Sequence, residues 1–197
     1  MELQHVNVKL FVEASDETLE LLIPVFHRWI QEKPLEELLL DVADYRHVYG
    51  GPGVVLIGHE ANYSLDNTDN ELGILYNRKT PIEGTNHSKL KQATLAALGA
   101  LQRLEAEPKL NGKLRFGGKR IQLLINDRLL APNAPETRAA VDPDMKAFGA
   151  ALFGGSGYTA AYEQDSRRRF GVTLQSAQPV TTERLLANLS SRNGQAS

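Results

Sequence analysis

Three strand-like segments follow one another between residues 37 and 79 with no helical pattern between them, and this constrains the fold more than any other feature. Residues 37–47 and 53–64 are separated by Tyr49-Gly50-Gly51-Pro52, whose glycines permit positive φ. Residues 71–79 follow the turn-rich SLDNTDN. Connections this short leave no room for a crossover helix, so the three strands are expected to pair antiparallel.

The flanking segments fit the same plan. Residues 4–13 alternate, with Val6, Val8, Leu10 and Val12 on one side and polar residues plus Phe11 on the other, as in a half-buried strand. Ser15 can cap a helix whose first turn carries Asp16 and Glu17. Leu19, Leu22, Ile23, Phe26, Trp29 and Ile30 form its apolar stripe, and Pro24 predicts a kink or restart. Residues 88–105 read as the longest helix, capped by Thr85 or Asn86 and buried through Leu90, Thr94, Ala97, Leu98, Leu101 and Leu104.

Further on, 119–126 reads as a strand after a Phe116-Gly117-Gly118 turn, and 131–155 as two helical pieces opened by Pro135 and by Asp142-Pro143. Residues 158–163 and 169–175 read as a hairpin, and 182–189 as a short helix before a mobile polar tail. The order is β-α-β-β-β-α-β-α-β-β. The fold class is α+β: a single mixed, mainly antiparallel sheet with helices packed on it, one domain over 1–180 and a helix and tail over 181–197.

A chain of 197 residues buries roughly 70% of its unfolded surface and folds without staples. The absence of cysteine removes disulfides, thiolate metal sites and cysteine nucleophiles. A formal charge of −2 argues against general nucleic-acid binding. The charged, alternating N-terminus is no signal peptide, and no apolar run approaches the ~20 residues of a membrane span, so a cytoplasmic protein is expected.

Candidate chemistry concentrates in GVVLIGHEANYSLDN, residues 53–67. Val54 to Ile57 are apolar at both parities, as in a central strand, and the segment then turns titratable. As one strand it sets His59 and Tyr63 on one face and Glu60 on the other. One register against residues 37–47 brings His59 to Tyr45 and to Asp41 or His47; the other brings it to Asp44 and Arg46. His59-Glu60-Ala61-Asn62-Tyr63 is not a zinc-protease motif, because Tyr63 stands in the second histidine's place and the segment is not helical. Gly154-Gly155-Ser156-Gly157-Tyr158 lacks the final glycine of a nucleophile elbow and reads as a connector.

Basic residues gather at Asn77-Arg78-Lys79, at Gly117-Gly118-Lys119-Arg120 and at Arg167-Arg168-Arg169. The last run reads first as a hairpin tip and second as a site for an acidic partner. Asn126-Asp127-Arg128 is a polar strand end of the kind that carries binding loops. His27 falls at the margin of its helix's apolar stripe and is placed to touch the sheet or a pocket rim, while Arg28 should be solvated. PVFHRWIQ (24–31), DVADYRH (41–47) and GPGVVLIGHEANYSLDN (51–67) resemble uncharacterised bacterial proteins over about the first 80 residues, a resemblance that implies no activity.

The leading expectation is a binding protein for a small polar or anionic ligand, with Tyr45, Arg46, His47, His59, Tyr63 and Arg78 around it. The alternatives are a hydrolase- or lyase-type enzyme using His59 with Asp41, Asp44 or Glu60, and a protein-interaction or homo-oligomerisation module built on an edge strand or the 88–105 helix. The sequence specifies no cofactor and assigns no metal.

Overall fold

The structure, a computed structural model, describes residues 1–155 and 157–191. In chain order it contains β1 (Val6–Ala14), α1 (Asp16–Glu32), β2 (Leu39–Tyr45), β3 (Gly53–Gly58), β4 (Ala61–Asp66), β5 (Gly73–Arg78), α2 (Asn86–Glu105), β6 (Leu114–Ile125), α3 (Pro135–Leu152), β7 (Tyr158–Tyr162), β8 (Gly171–Ser176) and α4 (Thr182–Ser190). The strands form one sheet in the order β2-β3-β4-β5-β1-β6-β8-β7. Every neighbouring pair is antiparallel. This is an α+β fold with helices packed on an open sheet.

Helix boundaries follow local chemistry. Ser15 is the N-cap of α1, and Lys33 ends that helix in the left-handed region, its N–H returning to the Trp29 carbonyl. Thr85 caps α2 by accepting from the Ser88 N–H. Pro135 opens α3 at its first position. Pro24 and Pro143 each lie inside one uninterrupted helix, so α3 is a single element where the sequence suggested two.

Two strands also depart from expectation. The segment 53–64 is a hairpin, β3 and β4, turning at His59 and Glu60. Neither turn residue has positive φ, so the Asn-Gly signature of the favoured hairpin turns has no place here. The turn is fastened from outside: His59 N–H donates to the Leu38 carbonyl, Glu60 N–H to the Glu37 carboxylate, and Lys79 N–H to the Glu60 carbonyl. Phe116-Gly117-Gly118 is likewise a bulge within β6. Pairing jumps from Leu10↔Ile121 to Val12↔Phe116 there. Gly118 sits at φ +68, where an added Cβ would strike the Val180 carbonyl at 2.8 Å.

The strand residues of the core all come from one face. Val8 and Leu10 of β1, Leu56, Tyr63, Ile74, Tyr76, Leu123 and Val172 pack with Phe26 and Trp29 of α1, Leu98 and Leu101 of α2, Phe148 of α3 and Leu185 of α4. Full burial of each large side chain is worth about 1.5–3 kcal/mol. The terminal helix α4 thus belongs to the same core as the rest of the domain. The other sheet face carries a polar row, Asn62, Asn77 and Asn7 on β4, β5 and β1, and beside it Ser64, Lys9 and Gln122. No helix of the described residues is long and apolar enough to cross a membrane. Residues 192–197 of the expected tail and Ser156 of the 154–158 connector lie outside the described residues.

Candidate functional site

A cleft of about 900 Å³ opens on the helical side of the sheet. Its floor is Tyr63 of β4 and Tyr76 and Arg78 of β5, neighbours because β4 and β5 pair Tyr63↔Tyr76 and Ala61↔Arg78. The two tyrosine rings meet edge to face with centroids 5.3 Å apart. One wall is the outward stripe of α2: Ser88, Lys91, Gln92, Leu95, Gly99 and Arg103. At 1.5 Å per residue that stripe runs for about 22 Å. The opposite walls are residues 34–37, which link α1 to β2, and Asn188 and Leu189 near the end of α4.

The polar groups on this surface divide into fixed and available ones. Gln92 Nε2 donates to the Tyr76 hydroxyl at 3.1 Å. Arg78 donates through Nη1 to Glu60 at 2.8 Å and through Nε to the Thr80 carbonyl at 3.0 Å. Burial opposes the charge on Arg78, but the Tyr76 hydroxyl and Glu60 outweigh it and raise the guanidinium's pKa. Glu37 is occupied by the Glu60 N–H. The Tyr63 hydroxyl, by contrast, makes no hydrogen bond within the protein among the described residues. Burial, then the neighbouring Tyr76 and Glu37, push that phenol well above its ordinary range, so it stays a neutral donor.

The sheet register disperses the expected site. Tyr63 and Arg78 are brought together in the cleft. The pairing Tyr45↔Gly53 at one end of the β2–β3 hairpin and Leu39↔Gly58 at the other puts Tyr45, Arg46 and His47 at the opposite end from His59. Neither register that would join His59 to that group forms, because the strand ends at Gly58 and His59 is in the turn. His59 is exposed, outside the cleft, and linked to no carboxylate through its side chain among the described residues. Glu60 reaches the cleft rim through Arg78. Asp41 and Asp44 are exposed on the edge strand. Arg46 binds Asp44 by side chain and backbone and holds its pKa down to about 2.

On α1 the sequence assignment is reversed. His27 is exposed, and Arg28 reaches the buried carboxylate of Glu107. The cleft residues that the sequence reading passed over are Tyr76, Gln92, Leu95, Gly99 and Arg103. Their signal was Leu95 and Gly99, small or apolar residues lying off the buried stripe of an otherwise amphipathic helix.

No group of three or more His, Asp or Glu side chains among the described residues could hold a metal ion. The fold and cleft define the protein as an open-faced antiparallel α+β domain with a long groove on its helical side. No known protein family, curated protein or solved structure matches the chain.

Proposed function

We propose that this protein binds a small amphipathic anion in the cleft between α2 and the α1–β2 connection. The observation that carries the reading is the cleft itself, whose volume lies within the range of small-molecule sites. Leu35, Leu95, Ala96 and Leu189 supply apolar wall, while Tyr63, Gln92, Lys91 and Arg103 supply a few converging polar groups. Glu60 is paired with Arg78, and Lys91 and Arg103 bring positive charge to the α2 wall, which supports a ligand of negative charge.

Gly99 provides the test. A Cβ added there meets nothing within 4 Å, so Gly99→Trp fills the groove from a helix interior without a clash at its base. A metabolite thermal-shift panel on the native protein should yield an anionic hit. Its affinity should fall more than tenfold in Gly99→Trp and severalfold in Tyr63→Phe, with His59→Ala and Tyr45→Ala unchanged. A hit that survives Gly99→Trp and Tyr63→Phe, or a panel with no hit, would refute the assignment.

A further inference from the structure

On the helix-free face of the sheet, two loops reach toward each other from opposite ends. The β4–β5 loop extends from one end and the β7–β8 loop from the other, and Arg168 of the second pairs with Asp69 of the first across β5, β1 and β6. Beneath them lies a cavity of about 60 Å³.

Its acids are all engaged. Asp66 holds Lys9 Nζ at 2.6 Å in a pair whose side chains are only 6% and 5% exposed. Glu71 holds Arg120, and Asp69 and Glu163 share Arg168. Of its cations, Lys9 and Arg168 are paired and Arg169 is not. Arg169 lines the cavity, and among the described residues its side chain has only the Asn126 amide oxygen, at 3.4 Å, as a hydrogen-bond partner. Among the described residues no carboxylate lies within ion-pair distance of it or of its neighbour Arg128. Burial, and then the charges of Arg128 and Arg168, depress the Arg169 pKa, while Asp66 only partly offsets this.

Further donors face the same way. Lys9 Nζ has three N–H groups and uses two, on Asp66 and on the Thr68 carbonyl. The Gln122 amide lines the wall with no hydrogen bond inside the protein among the described residues. In the adjoining row of this face, both amide atoms of fully buried Asn7 lack a partner. A half-buried cation without a carboxylate partner, beside a wall of spare donors, favours a group that accepts from them.

We propose that this cavity is a second binding site, separate from the cleft, that takes a small oxyanion of carboxylate or phosphate size. Arg169 supplies the charge, and Lys9 and Gln122 the flanking donors. The volume suits one such group or a few waters.

Calorimetric titration of the native protein with sodium phosphate, and separately with sodium acetate, against sodium chloride at matched ionic strength and pH 7, tests this. One of the two oxyanions should bind at a single site, identifying the class, with affinity at least tenfold weaker in Arg169→Gln. Arg167→Gln, which alters only the exposed pair with Asp165, should bind normally. Should Arg169→Gln not fold, Gln122→Ala reads the same wall with severalfold weakening. Tyr63→Phe must leave the binding unchanged, which separates this site from the cleft. Absence of binding by the native protein, unaltered affinity in both cavity variants, or dependence on Tyr63 would each overturn the proposal.

Discussion

At the scale of single residues, the contrast between the two sheet faces decides which side chains matter. Lys9 and Asp66 form an ion pair with almost no access to solvent. Removing one partner leaves the other buried and uncompensated, so Asp66→Ala should cost about 3–5 kcal/mol in urea unfolding, and Lys9→Met/Asp66→Leu should cost clearly less. A double variant no more stable than the single one would deny that the pair is effectively buried. Asp44 behaves differently, being exposed on the edge strand. Because Arg46 holds its pKa down to about 2 from an ordinary 3.8, its contribution is present above about pH 4 and disappears as pH falls through 2. NMR titration of the Asp44 carboxyl should show this low midpoint, and Arg46→Gln should return it toward 3.8. Nothing in local sequence distinguished these acids. Asp66 stands near the start of the turn-rich SLDNTDN and Asp44 near the end of the 37–47 segment, and only long-range pairing with Lys9 gave the first its environment.

At the scale of elements, what the chain encodes locally was readable. Apolar periodicity placed α1 and α2, Thr85 and Ser15 marked their starts, and alternation marked β1. The missed features are those set by distant partners. The turn at His59 and Glu60 uses ordinary backbone angles and is held by Glu37, Leu38 and Lys79, so a strand and a hairpin look alike over residues 53–64. That difference displaces the candidate site, because as a strand residue His59 would face Tyr45 in one register and Asp44 and Arg46 in the other. Tyr63 and Arg78 come together in the cleft because both lie in strands that pair next to each other. Gly53, which opens β3 at φ +65, is where local geometry is most exacting: an added Cβ would stand 2.3 Å from the Leu65 carbonyl. Gly53→Ala should therefore lower stability by at least about 2 kcal/mol and shift the chemical-denaturation midpoint accordingly. Gly99→Ala, in open space within a helix, should instead raise it by about 0.5–1 kcal/mol.

At the scale of the whole molecule, one core on one sheet face leaves the other face free for polar groups and for the two loops that cover it. The sheet's interior is its most protected part: β1 is paired on both sides, by β5 and by β6, while β2 and β7 are edges. Amide exchange followed by mass spectrometry should find the slowest protons in β1, β5 and β6 and faster exchange in β2 and β7. Fast exchange in β1 would contradict the pairing. The central place of β1 has a consequence for how the chain is made. Val6 to Val12 leave the ribosome ahead of both their partners, Gly73–Arg78 and Leu114–Ile125, which emerge far later. At cellular translation rates the apolar side of β1 waits on the order of ten seconds for its second neighbour. Until then the apolar side of β1 stays unpaired, so the middle of the finished sheet is the part of the chain that waits longest for its neighbours.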